Sequence, residues 1–313
     1  MKTDKMRESR HVEDRRNEQP SFGRQSSGRG FSYGGGGMLP LLLQLLFSRG
    51  GSKWILLLVL GYALLNGGGL GNILMSEMGM QTPSQTQTQT QSQSTSQTAK
   101  TEESEFVSKV LASTEDFWTE KFREQGMTYH APKLVLYSGQ TATNGCGIGS
   151  AAAGPFYCPT DQKIYIDLSF YRELTTKYRA SGDFAMAYVI AHEVGHHVQN
   201  EVGTLTEYQR TKQRLSETQG NRLTVRLELQ ADYYAGAWAK YVAGQGLLDI
   251  GDIDEAMQAA HAVGDDTLQE QAYGHVVPDS FTHGTSAQRK EWFNRGYQYG
   301  DFENGDTFNQ NID

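Results

Sequence analysis

Ala191-His192-Glu193-Val194-Gly195-His196-His197 is the stretch on which the reading of this chain turns. It contains His-Glu-x-x-His. Residues four apart on an α-helix sit one turn apart on one face, so His192 and His196 can point ring nitrogens at a single ion. Glu193 follows the first histidine, where its carboxylate can take a proton from a water held on that ion. Two imidazoles and a carboxylate at this spacing suit Zn²⁺, which lowers the pKa of its bound water to about 7. Upstream, Asp183-Phe-Ala-Met-Ala-Tyr-Val-Ile-Ala191 places an N-cap type of residue before an apolar run. This predicts a helix from about 183 to 199 that is buried along much of its surface. Polar side chains in such a helix need partners, which favours a site over a chance match on a surface helix. Gly195 carries no side chain between the two histidines and lets another element approach closely.

A catalytic zinc needs a third protein ligand and an open fourth position. The best candidate is Glu228, in Arg226-Leu-Glu-Leu-Gln-Ala-Asp232. That stretch belongs to a helical pattern from about 221 to 242, with small residues at Ala231, Ala235, Gly236, Ala237 and Ala239. Glu228 and Asp232 are four apart and share a face. Glu228 can ligate the metal while Asp232 accepts from a histidine's other ring nitrogen and fixes its tautomer. The plainer reading is a solvated acidic pair, and the small-residue helix argues against it. His197 is rotated by about 100° from His196 and faces away from the ion, so it packs or hydrogen-bonds behind the site. His261, in a helix beginning at Asp252, reads as structural. His283, in the loop Phe281-Thr-His-Gly-Thr-Ser286, is the first choice for a catalytic donor to the oxyanion of a tetrahedral intermediate, with structural packing as the alternative.

Composition divides the 313-residue chain. Residues 1–37 are charged and Gly/Ser-rich without apolar periodicity, and read as a disordered basic tail. Its interspersed acids weigh against a nucleic-acid-binding arm. Residues 38–76 hold two apolar blocks, Met38–Phe47 and Trp54–Leu65. The second extends toward Met75 as a marginal transmembrane helix over about 54–75, with a soluble apolar hairpin as the alternative. Basic residues crowd its N-terminal side, so positive charge predicts a cytoplasmic tail and an extracytoplasmic C-terminal part. Residues 77–100 are rich in Gln, Ser and Thr and read as a solvated tether, about 25 Å in root-mean-square span. Residues 101–313 are long enough for one domain with a real core. They carry a net charge of about −13, which makes nucleic acid an unsuitable partner.

Cys146 and Cys158 are the only cysteines and do not form a Cys-x-x-Cys pair. They read as a disulfide closing a glycine-rich loop in an oxidising compartment, rather than as two buried thiols. Lys133–Tyr137 and Lys163–Asp167 alternate as strands and flank that loop as a hairpin with a long connection does. In zinc peptidases an edge strand beside the metal helix pairs with an extended substrate. Ile164–Asp167 is the candidate edge by that analogy, with an ordinary core strand equally compatible.

Several stretches together resemble the YpfJ-type neutral zinc metallopeptidase family of membrane-anchored bacterial proteins. They are the glycine run before the apolar segment, Gly154-Pro-Phe-Tyr-Cys-Pro159, Ile164-Tyr-Ile-Asp167, the His192 motif, Glu228-Leu-Gln-Ala-Asp232 and Asp279-Ser-Phe-Thr-His-Gly284. More distantly the arrangement is similar to gluzincins. The resemblance implies His192, His196 and Glu228 as ligands of one Zn²⁺ and Glu193 as general base, and it names no substrate. The expectation is an α+β, mainly helical zincin-like domain with a small sheet, hydrolysing peptide or protein substrates from one N-terminal membrane helix. The rival is a catalytically silent, zinc-stabilised interaction or chaperone module at the cell envelope.

Overall fold

The metal-motif helix starts without a side-chain cap of its own. In the computed structural model, which describes residues 1–18, 100–178, 180 and 182–312, Gly182 stands at the N-cap with φ 108° and Asp183 is the first helical residue. The carboxylate of Glu255, from a later helix, accepts from the Phe184 amide at 3.0 Å and serves the orphaned helix start instead.

In chain order the elements are β1 (Val12–Asp14), α1 (Glu102–Glu124), β2 (Lys133–Tyr137), β3 (Gln140–Ala142), β4 (Ile148–Ser150), β5 (Phe156–Cys158) and β6 (Lys163–Asp167). Seven helices follow: α2 (Ser169–Thr176), α3 (Asp183–Glu201), α4 (Thr204–Lys212), α5 (Glu217–Gly244), α6 (Asp252–Ala262), α7 (Asp265–Tyr273) and α8 (Ser286–Tyr299). The domain is α+β and mainly helical, as the pattern predicts.

Helices α3, α5 and α8 form the centre. Their apolar faces meet α1 and one face of the sheet in a single core that includes Val110, Leu111, Leu134, Leu136, Ile164, Ile166, Phe184, Val194, Trp238 and Phe293. Small residues set the spacing. A Cβ on Gly195 of α3 would lie 3.1 Å from the Ala231 backbone of α5. Gly236 of α5 and Gly296 of α8 face each other's helices so closely that a Cβ on either would collide with a main-chain carbonyl of the other.

The four-stranded sheet has the order β1-β2-β6-β5, with β3 and β4 as a separate antiparallel pair. Strands β2 and β6 are neighbours but run parallel, Lys133 opposite Lys163 through Tyr137 opposite Asp167. This corrects the hairpin expectation. The connection between them carries β3, β4 and β5 and returns the chain to the starting end, as parallel pairing requires. Strand β6 is therefore interior, with β2 on one side and β5, antiparallel, on the other. Ile164 and Tyr165 are therefore paired on both sides, and β5 stops short of Ile166 and Asp167. Among the described residues the outer strands are β1 and β5. On the sheet's second face Val135, Tyr137, Cys158 and Tyr165 form a small cluster of their own.

Residues 1–18, expected within a disordered tail, belong to the same compact unit as the C-terminal domain. Strand β1 adds in parallel to β2, Val12 opposite Leu134 through Asp14 opposite Leu136. The charges that looked like solvated tail are engaged. Arg7 binds Glu115 and Asp116 at 2.9 and 2.6 Å, His11 Nδ1 lies 2.9 Å from Glu115, and Ser9 bonds the same carboxylate. Glu115 is buried on α1, so these groups satisfy a charge that α1 cannot satisfy alone.

This pairing bears on the expected single-pass topology, whose membrane segment lies outside the described residues. One membrane crossing between residues 18 and 100 would set β1 and β2 on opposite faces of a bilayer, which a shared hydrogen-bonded ladder forbids within one chain. The expected helix over 54–75, the apolar region 38–76 and all but the last residue of the tether over 77–100 lie outside the described residues. Among the described residues no helix is long and apolar enough to cross a membrane.

Candidate metal centre

His192 and His196 project from one face of α3, and Glu228 meets them from α5. One ligand atom from each of the three lies within 4.8 Å of the others. Glu228 Oε2 stands 3.2 Å from His192 Nε2 and 3.5 Å from His196 Nε2. The close approach at Gly195 and Ala231 permits this, because a bulkier pair would hold α5 and its carboxylate away.

Each histidine is oriented from behind. His192 Nδ1 lies 2.8 Å from Asp232 Oδ1. A carboxylate only accepts, so Nδ1 carries the hydrogen, and a neutral ring would then present a bare Nε2 to a metal ion beside Glu228. Asp232 is fully buried and is itself held by the Arg289 guanidinium of α8, at 2.8 and 2.9 Å, and by the Tyr188 hydroxyl at 2.5 Å. His196 Nδ1 donates to Gln199 Oε1 at 2.9 Å. The Gln199 amide orientation is set by its nitrogen, which donates to the Leu227 carbonyl at 2.7 Å and to Gln230 Oε1 at 3.1 Å.

The electrostatics of this cluster call for positive charge. Burial disfavours an imidazolium at His192, yet Asp232 and Glu228 outweigh burial and push it up to about 10. Burial is overcome in the same way at His196, which Glu228 raises. Burial works against ionised Glu228 and Asp232, but the two histidines hold Glu228 well below the usual carboxylate range, and Arg289 with His192 holds Asp232 at about 2. With neutral imidazoles, the Glu228 and Asp232 carboxylates share a single guanidinium, Arg289. A divalent cation held there would meet that excess of negative charge and leave both rings neutral. The donor set of two imidazoles and one carboxylate fits zinc.

The trio opens onto a cavity of about 480 Å³. Glu193 lines it with His192, His196 and Glu228 without being one of the clustered ligand atoms. His283 lines it from the loop before α8. Asp265 shapes that loop: its Oδ2 accepts the amides of Thr282, His283 and Gly284 at 2.6, 2.6 and 3.1 Å, and its Oδ1 lies 3.3 Å from His283 Nδ1. Burial alone would raise the Asp265 carboxyl, but His283 and the loop amides lower it. The remaining wall is largely apolar, with Pro155, Phe156, Phe170, Tyr178, Val263 and Leu268. His197 turns away from the trio, as its helical position predicts, and bonds Tyr157 and the His130 carbonyl. His261 is exposed, and its carbonyl accepts from Ser286. Cys146 and Cys158 form a disulfide with Cα atoms 5.9 Å apart, joining the β3–β4 loop to β5.

Sequence reasoning missed Gln199, Tyr188, Arg289 and Asp265. Gln199 was within reach, since it stands three residues after His196 on the same helix. Arg289 and Asp265 act across 57 and 18 residues, and no local spacing signals such pairs.

Fold and site together give two imidazoles and a carboxylate on a helix pair that could hold a metal ion, with a further carboxylate lining the cleft beside them. The chain belongs to the family described as "putative neutral zinc metallopeptidase", whose sequence profile matches residues 1–308. It is 46% identical over 308 residues, 98% of each chain, to "Uncharacterized protein YpfJ" of Escherichia coli K12. It is 45% identical over 191 residues to "Uncharacterized protein Rv2575" of Mycobacterium tuberculosis H37Rv, which covers 58% of this chain and 63% of that protein. No solved structure matches.

Proposed function

We propose that the protein is a zinc-dependent peptidase of zincin-like design that hydrolyses peptide bonds. The observation that carries this reading is the convergence of His192, His196 and Glu228 within 4.8 Å, with Glu193 beside them in an open cleft. A zinc ion held by the three would supply an acidified water and a Lewis acid for the scissile carbonyl. Glu193 acts as general base and returns the proton to the leaving amine. Asp232 and Gln199 keep the two ligand rings in the tautomer that presents Nε2. His283, tethered by Asp265, offers its ring to the developing oxyanion. The backbone of β5 borders the cleft at Phe156 and Tyr157, and as an outer strand it can pair with an extended peptide. A carboxylate that lines the cleft beside the trio without joining it favours catalysis over a silent structural metal.

The disulfide supports an oxidising, extracytoplasmic compartment for the domain. Because β1 shares the sheet, residues 1–18 lie in that compartment too. Attachment to the cytoplasmic membrane is proposed through the apolar residues 38–76, with both of their flanks on the domain's side.

The test is metal content read beside hydrolysis of a broad quenched peptide pool, with and without chelator. Glu193→Gln is expected to keep one zinc per chain and lose at least about 100-fold in turnover, the scale for removing a general base. His196→Ala is expected to lose both zinc and turnover. Unchanged hydrolysis by Glu193→Gln would remove the mechanism.

A further inference from the structure

We infer that Tyr157 and His197 are a positioning pair that clamps the outer strand β5 to the metal helix α3, and so sets where an extended peptide lies over Glu193. This deepens the peptidase reading and rests on it.

The donors and acceptors leave one arrangement. His197 is 1% exposed, and its Nε2 lies 2.6 Å from the His130 carbonyl oxygen. A carbonyl only accepts, so Nε2 carries the hydrogen and donates. In the neutral ring Nδ1 is then bare, and at 3.1 Å it accepts from the Tyr157 hydroxyl. The Tyr157 and Tyr129 rings both meet the imidazole edge to face, with centroids 5.5 and 5.7 Å away. One helical turn on, Glu201 of α3 accepts from the His130 amide at 3.3 Å and lies 2.9 Å from the His130 ring, which fixes the carbonyl that His197 needs.

Strand β5 needs such a clamp. It has three residues and pairs with β6 on one side only, Phe156 opposite Tyr165 through Cys158 opposite Lys163. The disulfide holds its far end at Cys158. Tyr157 sits in the middle and lines the cleft, and its hydroxyl ties that middle to the residue adjoining the ligand His196. Helix α3 therefore carries both ligand histidines and the anchor of the strand edge. The same hydroxyl also meets the Asn200 side chain of α3, so the distance between a strand-paired peptide backbone and Glu193 is set by the contacts of this one hydroxyl with the metal-motif helix.

The test uses Tyr157→Phe in the zinc-loaded full chain, which removes the hydroxyl and keeps the ring. Its substrates are quenched decapeptides and blocked dipeptides sharing one scissile bond, the latter too short to lie along β5. Zinc content is expected to stay unchanged. Loss of one net hydrogen bond's worth of alignment is expected to lower kcat/KM on decapeptides about tenfold, carried by KM, with dipeptides unaffected. A decapeptide should bind the Glu193→Gln protein with the same factor more tightly than it binds the Glu193→Gln/Tyr157→Phe protein, as read by fluorescence anisotropy. Equal loss on both substrate lengths, or no loss while the wild type is active, would overturn the clamp. Absence of cleavage by the wild type at any length would overturn the peptidase reading, and the clamp with it.

Discussion

The cleft works through residues that touch one another in pairs, each imidazole with an acceptor behind it. Asp232 stands behind His192, Gln199 behind His196, and Asp265 behind His283. Asp265 does more than orient a ring, because the same carboxylate closes the loop by taking three amides. His283→Ala should lower turnover about 100-fold or more with zinc content retained, the usual scale for losing an oxyanion donor. Asp265→Asn should share part of that loss and cost about 2 kcal/mol of stability at neutral pH, the scale of charge-assisted hydrogen bonds. The sign with pH follows from the depressed carboxyl. Its stabilisation is fully present above the ordinary value of 3.8 and fades as pH falls below it toward the folded-state value. Thermal melts of the two proteins should therefore converge in acid. A gap that stays constant to the lowest accessible pH would show that Asp265 does not act through its charge.

Helices α3, α5 and α8 are brought together by absent side chains. At Gly236 and Gly296 the backbones of α5 and α8 nearly touch, and this contact delivers Arg289 to Asp232. Gly236→Ala should thus cost roughly 1–3 kcal/mol from overpacking. It should also weaken zinc retention, because Asp232 loses its guanidinium as the helices separate. Unfolding midpoints and competition with a chelator read the two effects separately. A stability change without any change in metal retention would mean that the α8 contact only packs. For the strands, alternation in Lys133–Tyr137 and Lys163–Asp167 was legible because both bury alternate side chains on two faces. Direction and neighbour were not legible, since a parallel or antiparallel partner buries the same side chains. Strands of three residues, such as β1 and β5, are too short to show a period at all.

Across the whole molecule, residues 1–18 belong to the same compact unit as the C-terminal domain, from which the apolar and polar stretch separates them in sequence. A membrane-impermeant maleimide applied to cells carrying Lys5→Cys or Glu291→Cys, both exposed positions, should label both or neither. Labelling of one alone would break the β1–β2 pairing as the state in the cell. Composition misread residues 1–18 for a clear reason. Their charged side chains resemble a solvated tail, and only the buried Glu115 and the open edge of β2 turn them into a strand with ion pairs.

What the sequence determined unaided was whatever one helical turn or one short loop encodes: the two histidines on a common face, the carboxylate at the next residue, the Glu228–Asp232 pair on its helix, and the cysteine bridge. These follow from the 3.6-residue period and from chain length between the partners. The tertiary structure alone decided which strands are outermost, which guanidinium neutralises Asp232, which acid holds His283, and that the first eighteen residues join the sheet. Each of those depends on what stands opposite a buried face, and periodicity reports that a face is buried without naming its neighbour.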